Sequence, residues 1–418
     1  MRSTESPWHG RDFRALFAAS ALSQFATNVS YVAVPLIAVS ALDAGPGQAG
    51  ALATLSTVAF LLIGLPAGAW VDRMRQRGVL ICADLARGSL LASVPLAWWL
   101  DALTLGHLYA VVLLNGCATV FFDVGSQSAL PKLVGRGALV RANAAVVSLQ
   151  AVANIAGRGL GGGLVQLLTA PVAILCAAVG HLASALGLTA VRATERPPSA
   201  PGLGAQIAEG VRHVAGDREL RALAATAALS NLGSQLVNTM LPILFVRELG
   251  LSAGALGLYW AAGGVGLLLG ARCAPPLAAR FGHGRVLGLA GAALAPAALL
   301  VPLIGAAPWL WVAAGGWVLA MFKIGVDNVL GVSLRQHKTP DALLGRMNAT
   351  FRCLLTGALA VGAALSGLLG ELVGVRPTLW AGGAVLATAF VPVLLSPLRG
   401  RWTLVAGEEA REPAAGRP

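Results

Sequence analysis

Hydrophobic residues along this chain fall in long runs separated by short polar links, without the strict alternation expected of half-buried strands. Each run is long enough for the ~20 residues that a helix needs to cross a lipid bilayer. Because backbone hydrogen bonds in lipid must be satisfied internally, helices are the only plausible spanning form for runs of this length. The twelve predicted spans are 13–42, 49–71, 78–100, 106–130, 142–169, 171–191, 221–246, 253–278, 285–306, 308–334, 346–371 and 376–397.

The polar break at 192–220 divides the spans into six plus six. We therefore expect an all-α membrane protein with twelve transmembrane helices in two pseudo-symmetric six-helix bundles. The expected domains are an N-terminal bundle (1–191), a cytoplasmic linker with a surface helix (192–220), a C-terminal bundle (221–398) and a disordered tail (399–418). The linker's helical spacing of apolar residues fits a helix on the membrane surface or a solvated connector.

A weak internal repeat supports this division. Asp327 stands 204 positions after Asp123, and Arg346 stands 205 after Arg141. Glycines repeat with the same offset, since Gly157 and Gly162 align with Gly362 and Gly367. The chain therefore resembles one unit used twice.

Composition places the chain in the membrane class, because only 11% of its 418 residues are charged, compared with roughly 25% in soluble domains. The net charge of +12 could suggest nucleic-acid binding, but no span has the basic and aromatic pattern of such a surface. Of the 30 lysines and arginines, only Arg247 and Arg376 fall in odd-numbered links. The positive-inside rule then predicts a multi-pass protein of the cell (inner) membrane with both termini cytoplasmic.

The link after the second span has a recognisable pattern, GLPAGAWVDRMRQRGV, from Gly64 to Val79. It resembles the signature loop of the major facilitator superfamily. The resemblance implies a cytoplasmic latch, made by Gly68, Asp72, Arg73 and Arg77, that steadies the outward-open state. The second half keeps an arginine at Arg280 but lacks the aspartate, so the expected latch is asymmetric.

Further phrases narrow the resemblance. They are ADLARGSLL, FFDVGSQSALPKLV, RAN and SLRQHKTPDALLGRMNATFR, and they are similar to the branch that includes macrolide efflux proteins and the enterobactin exporter. The similarity covers nearly all of 13–398. It implies a transporter that exports a lipophilic or amphipathic small molecule, of the antibiotic, drug or siderophore type.

Charges inside the spans are the candidates for coupling chemistry, because a charge at the bilayer centre costs about 3 kcal/mol on insertion scales. Asp84 can pair with Arg87, three residues later, and Lys323 with Asp327. Asp123, Asp327, Arg87, Arg352 and Lys323 are candidates for proton coupling or for buried charge pairs. Either the two repeated aspartates titrate during transport, or they are permanently ionised members of structural pairs. Shallow depth and nearby bases favour the second interpretation.

Arg158 lies deep in the fifth span, about 24 Å from its inner end. Drug and proton antiporters of the resembled superfamily carry a Gly-Pro phrase there, whereas this chain has Gly157-Arg158. Arg158 either faces the central cavity, with Asn28 and Gln24, and attracts an anionic substrate, or extends to the outer interface. Gly157, Gly161, Gly162, Gly362 and Gly367 are expected to allow close helix packing.

The predicted function is export by proton antiport with alternating access, through a cavity between the bundles. No phosphate-binding loop is present, so an ion gradient is the expected energy source. We expect no cofactor, a small-molecule substrate, protons and the bilayer as partners, no nucleic acid, and a monomer. Two alternatives stay open: an importer, lipid mover or uniporter without proton coupling, and, more remotely, a polytopic membrane enzyme, for which no nucleophile–base set or metal cluster is found.

Overall fold

The computed structural model describes residues 7–191, 203–306 and 308–400. Inside the helices, it leaves out the side chains at 65–66, 68–69, 72–73, 131–132, 135–137, 140, 203–208, 290, 341–342 and 399–400. All regular secondary structure in the described ranges is helical.

The first half contains α1 (Arg11–Ser40), α2 (Pro46–Arg73), α3 (Gln76–Trp99), α4 (Leu105–Leu168) and α5 (Ala170–Leu188), followed by α6 (Leu203–Gly216). The second half contains α7 (Arg218–Pro242), α8 (Ala253–Phe281), α9 (His283–Arg285), α10 (Gly291–Leu294), α11 (Trp309–Lys338), α12 (Asp341–Leu372), α13 (Val375–Thr388) and α14 (Val391–Leu394). A π-helical segment, Ile243–Glu248, extends α7. The helices α9 and α10 belong to one span, His283–Leu303. The helices α13 and α14 form the last span, Val375–Leu394.

Helical turns run through α4 without a break, although the sequence predicts two spans with a link between them. Its two parts nevertheless run in opposite directions. The Phe122 ring lies 5.5 Å from the Arg87 guanidinium, Arg87 hydrogen-bonds Thr27, and the neighbouring Asn28 packs against Gly157. In a straight helix, Phe122 and Gly157 would stand about 52 Å apart. The chain therefore reverses between them, and α4 crosses the membrane twice.

Eleven described segments are long and apolar enough to span a membrane, and they include only the first part of α4, Leu105–Leu130. The second part of α4 is the twelfth. The helices α1 to α5 pack on one another, and α7 to α14 do the same. Two seams join these groups, one between α2 and α12 and one between α4 and α8. The predicted twelve-helix, two-bundle fold is confirmed.

The two ends of the molecule differ in how the bundles meet. We name the end where α1 and α7 begin the basic face, since Arg11, Arg75 and Lys338 lie there, and the opposite end the far face. A single hydrophobic core containing Val29, Leu36, Met240 and Trp260 crosses both bundles toward the far face. Toward the basic face the core divides in two, one cluster in each bundle. The bundles are thus joined at the far face and separated at the basic face.

Polar contacts reinforce the closed far face. Arg247, at the end of the α7 span, donates to Asp43 Oδ1 at 2.8 Å and to the Val39 carbonyl at 3.1 Å. The Gly47 N–H donates to Glu371 Oε2 at 3.1 Å. Each of these bonds joins one bundle to the other.

The helix α6 packs against α12 at the basic face, with an ion pair between Glu209 and Arg346 and a hydrogen bond between His213 and Thr339. Val214 is buried, whereas Val211 is 48% exposed. The predicted surface helix therefore lies against the C-terminal bundle through its second half.

Asp217 caps α7 and ties it to α11. Its Oδ1 accepts from the N–H groups of Glu219 and Leu220, and Lys338 Nζ lies 2.7 Å from Oδ2 and 2.8 Å from Glu219 Oε2. Partial burial alone would raise the pKa of Asp217, but the Lys338 hydrogen bond and the two backbone N–H groups outweigh it and lower that pKa. The stabilisation is therefore present above the unfolded pKa of about 4 and is lost as the pH falls through the folded value.

Replacing Asp217 with alanine should lower the free energy of unfolding by about 1 kcal/mol, because both the helix cap and the ion pair are lost. Asp217→Ser is the matched control, since serine keeps the cap and removes only the charge. Thermal unfolding in detergent at neutral pH should rank wild type above Asp217→Ser and Asp217→Ser above Asp217→Ala. The gap between wild type and Asp217→Ser should shrink below pH 4, and a gap that does not depend on pH would contradict the assignment.

Candidate functional site: the central cavity

A cavity of about 360 Å³ lies between the bundles. Both halves contribute to its wall: α1, α2, α4 and α5 from the first, and α7 and α8 from the second. Most of the wall is apolar. The polar side chains on it are Thr27, Ser30, Ser56, Thr57, Asn115, Thr119, Asp123, His181, Gln235, Asn238 and Thr239.

Three aromatic side chains shape this wall. Tyr31 on α1 and Trp260 on α8 meet edge to face across the bundles, with ring centroids 5.3 Å apart. Asn238 orients Trp260 by accepting from its ring N–H at 2.8 Å. Phe60 on α2 lies beneath the Arg352 guanidinium of α12, at 4.4 Å from the ring centroid. The cavity is thus enclosed by aromatic contacts that include residues of both halves.

Asp123 brings a carboxylate to the cavity wall. Within the described ranges, no lysine, arginine or histidine nitrogen lies within ion-pair distance of it. The charges of Arg87 and Arg352 act on it from the two bundles. Asp123 is therefore flanked by cations without being held by either.

Arg87 is engaged elsewhere, in a buried network of the N-terminal bundle. Its Nη1 donates to Asp84 Oδ1 at 3.1 Å and to Ser23 Oγ at 2.9 Å, and its Nη2 donates to Thr27 Oγ1. His181 Nδ1 lies 3.3 Å from Asp84 Oδ1. Asp84, Arg87 and His181 are at most 2% exposed. The sequence-predicted pair of Asp84 and Arg87 is in contact, and Ser23 and His181 join it to α1 and α5.

The repeated aspartate of the C-terminal bundle, Asp327, has a different environment. Asp327 is in direct ion-pair contact with Lys323, one turn earlier on α11. It faces a separate small cavity of about 170 Å³ within that bundle, next to Ser230 and Asn231. The residue that aligns with Lys323 in the first half is Thr119, which has no charge. The repeated aspartates therefore occupy unlike environments.

Arg158 stacks on the back of the cavity wall. Its guanidinium lies 4.2 Å from the Tyr31 ring centroid, and its Nε is buried without a hydrogen bond. The cavity lining includes Tyr31 but not Arg158, Asn28 or Gln24. Asn28 is buried, donates to the Gln24 carbonyl at 2.9 Å and packs against Gly157. Tyr31 thus stands between Arg158 and the cavity.

The glycines named from the sequence pack closely against other helices. Gly157 and Gly161 face α1, Gly362 faces α7, and Gly162 and Gly367 lie in the two seams against Gly257 and Gly50. One residue of the predicted latch, Arg77, donates a hydrogen bond to the Thr189 carbonyl at 2.5 Å. Gly68 and the side chains of Asp72 and Arg73 lie outside the part of the chain whose burial and contacts are described.

Sequence reasoning missed Tyr31, Phe60 and Trp260 as parts of the cavity. A signal existed, because each aromatic residue stands well inside its span, whereas aromatic residues of membrane helices concentrate at the interfaces. The assembled site offers aromatic faces, the Asp123 carboxylate and two arginines stacked on its aromatic rings. Such a site can hold an amphipathic molecule with aromatic or acidic groups.

Comparison with known proteins finds similarity to membrane transporters. A family model described as transmembrane secretion effector matches residues 2–411. The enterobactin exporter EntS of Escherichia coli O139:H28 is 28% identical over 371 residues, which cover 86% of this chain and 85% of that protein. The uncharacterized MFS-type transporter y4rN of Sinorhizobium fredii is 25% identical over 362 residues, with 85% and 87% covered.

Solved structures resemble the chain in fold. The nucleoside transporter NupG superposes with a TM-score of 0.72 at 13% identity, covering 92% of this chain and 99% of that one. A bacterial homologue of the iron transporter ferroportin gives 0.73 at 15% identity, with 92% and 99% covered. At these identities the likeness establishes the fold alone.

Proposed function

Because the chain belongs to the transmembrane secretion effector family of MFS transporters, and is therefore a multi-pass membrane transporter and not an enzyme, we propose that it exports an amphipathic small molecule by proton antiport. The observation that carries this proposal is the central cavity, which both bundles line and on which Asp123 has no ion-pair partner among the described residues. A transporter that couples to protons needs an acidic group that substrate and proton can reach alternately.

The cavity chemistry favours a substrate with aromatic rings or an acidic group, of the antibiotic, drug or siderophore type. Tyr31, Phe60 and Trp260 offer stacking surfaces, and Arg158 and Arg352 place positive charge behind two of them. Among these types, the similarity to an exporter of enterobactin supports a siderophore. Arg158 would act through Tyr31, by fixing the ring, and Asn28 and Gln24 would support the same helix.

Alternating access would occur by rocking of two units, 1–191 and 221–398, joined by the linker 192–220, with 399–418 as a tail. The arrangement described above, closed at the far face and separated at the basic face, supports this proposal, because it would correspond to one end state of such a cycle. We propose that the basic face is cytoplasmic in the inner membrane, since it carries most lysines and arginines. Gly68, Asp72, Arg73 and Arg77 would form the latch that closes it in the other state. The cavity is complete within one chain, which supports a monomer.

Export should be tested in a host that lacks its own efflux systems. Cells expressing the chain should retain less of a fluorescent hydrophobic dye, tolerate higher concentrations of lipophilic antibiotics than cells with an empty vector, and lose both effects when an uncoupler is added. Export that persists with the uncoupler would contradict proton coupling and favour a carrier without it. Increased retention would instead indicate an importer.

A further inference from the structure

A second cavity lies outside the central one, along the seam between α2 and α12 toward the basic face. Its volume is about 1260 Å³, and α2, α6, α7 and α12 form its walls. We name it the seam groove. Apolar side chains dominate its surface, among them Val58, Leu61, Ala228, Leu354 and Val361. Nothing in the described chain fills it.

The seam groove lies on the side of α2 that faces away from the central cavity. At the far face, α2 and α12 are in contact through Gly50 and Gly367, whereas toward the basic face the groove lies between them. Leu354 and Val361 on its wall are 42% and 51% exposed. Along α7 the lining extends from Arg221 to Leu232, a rise of about 16 Å. This equals roughly half of the ~30 Å hydrocarbon core, the depth of one leaflet.

Positive charge stands at the basic end of the groove. Arg221 and Arg346 both line it there. Arg346 is paired with Glu209 of α6, whereas Arg221 donates a hydrogen bond to the Ala215 carbonyl. No carboxylate of the described residues lies within ion-pair distance of Arg221. The apolar groove, as deep as one leaflet, thus ends at the basic face at the Arg221 guanidinium, which has no carboxylate partner among the described residues.

We propose that the seam groove binds an anionic phospholipid from the leaflet at the basic face. One acyl chain lies along α7 and α12, and the phosphate rests against Arg221 with support from Arg346. Basic pockets between transmembrane helices suit such headgroups, because the charge is met in a partly desolvated place. The helix α2 separates this site from the central cavity, with Phe60 on the cavity side and Leu61 on the groove side.

The native cysteines provide a direct measurement. Cys353 lines the groove, whereas Cys176 is exposed on α5, in the other bundle. Two variants that keep only one of these cysteines should be purified in detergent and labelled with a maleimide while phosphatidylglycerol or phosphatidylcholine is added. Phosphatidylglycerol should slow labelling of Cys353 at a lower concentration than phosphatidylcholine does. The two lipids should have equal effects, or none, on the labelling of Cys176. Equal protection of Cys353 by both lipids, or none, would overturn the proposal.

Charge and shape variants separate this site from ordinary annular lipid. In the Cys353-only protein, Arg221→Gln should raise the phosphatidylglycerol concentration for half-protection about fivefold, the usual contribution of one basic residue. Arg376→Gln, at the far face, is the matched control and should change nothing. Ala228→Trp should abolish protection by filling the groove. If it does not fold, Arg221→Gln still decides: unchanged protection in that variant overturns the headgroup assignment.

Discussion

Replacing Asp123 with asparagine should abolish proton-driven export, whereas the same change at Asp327 should mainly reduce the amount of folded protein. Asp123 stands on the cavity wall without an ion-pair partner among the described residues, so its protonation does not break a bridge. Asp327 is held by Lys323, which is only 5% exposed. Removing one member of a buried pair leaves an uncompensated charge and costs about 3–5 kcal/mol.

The assay that separates the two effects uses proteoliposomes. Asp123→Asn should lose transport driven by a pH gradient by at least about tenfold, the change expected when an essential group is removed, but it should keep exchange of labelled for unlabelled substrate. During exchange, the transporter has the same protonation state in both directions, so no net proton movement is needed. Loss of both activities would make Asp123 structural, and retention of both would place the proton site elsewhere.

The ion pair between Lys323 and Asp327 provides a control for the Asp327 variant. Asp327→Asn should lower the melting temperature in detergent, while the double variant Lys323→Met, Asp327→Leu should recover much of the loss, because it removes both charges. The recovered protein should then transport. If the double variant folds normally but loses gradient-driven transport, the pair takes part in coupling.

The sequence predicted the number of spans and the division into two bundles because both depend on the length and spacing of apolar runs. Asp84, Arg87 and Lys323, which the sequence placed inside spans, are buried. The sequence indicated partners within one helix, Asp84 with Arg87 and Lys323 with Asp327. It could not assign partners on other helices, because in a membrane protein the lipid-facing and core-facing sides of a helix are both apolar, and the periodicity that marks a core face is weak. Asp123 and Arg87 are both predicted candidates for buried charge pairs, yet Arg87 hydrogen-bonds Asp84, Ser23 and Thr27.

The same limit explains why the environment of Arg158 could not be predicted. Its depth and its departure from the family phrase could be read from the sequence, but its environment depends on Tyr31, a residue 127 positions earlier. The two alternatives, a cavity-facing cation or one extending to the interface, omitted a third. Arg158 stacks behind an aromatic residue of the wall, so its charge reaches the cavity through the ring.

Adding a methyl group at Gly50 should stop transport, although alanine favours helices. A Cβ at Gly50 would lie 2.3 Å from the Cα and 2.7 Å from the N of Gly367. Both are backbone atoms inside a helix, so no side-chain rotation can relieve the clash, and α2 and α12 must separate at the far face. The Gly50→Ala protein should therefore fail to reach the arrangement seen here, and export should fall at least about tenfold, the result of ~1.4 kcal/mol against that state.

Gly163→Ala is the matched control, because it lies on α4 beside the other seam and a Cβ there meets nothing within 4 Å. Both substitutions gain up to about 1 kcal/mol of helix propensity, so only the seam contact distinguishes them. Closure of the far face can be followed with a bifunctional thiol reagent that spans cysteines placed at Asp43 and Arg247, whose Oδ1 and Nη2 atoms are 2.8 Å apart. Cross-linking should be efficient with Gly163→Ala and poor with Gly50→Ala. Efficient cross-linking in both would show that α2 and α12 can close without the glycine contact, and the loss of transport would then need another cause.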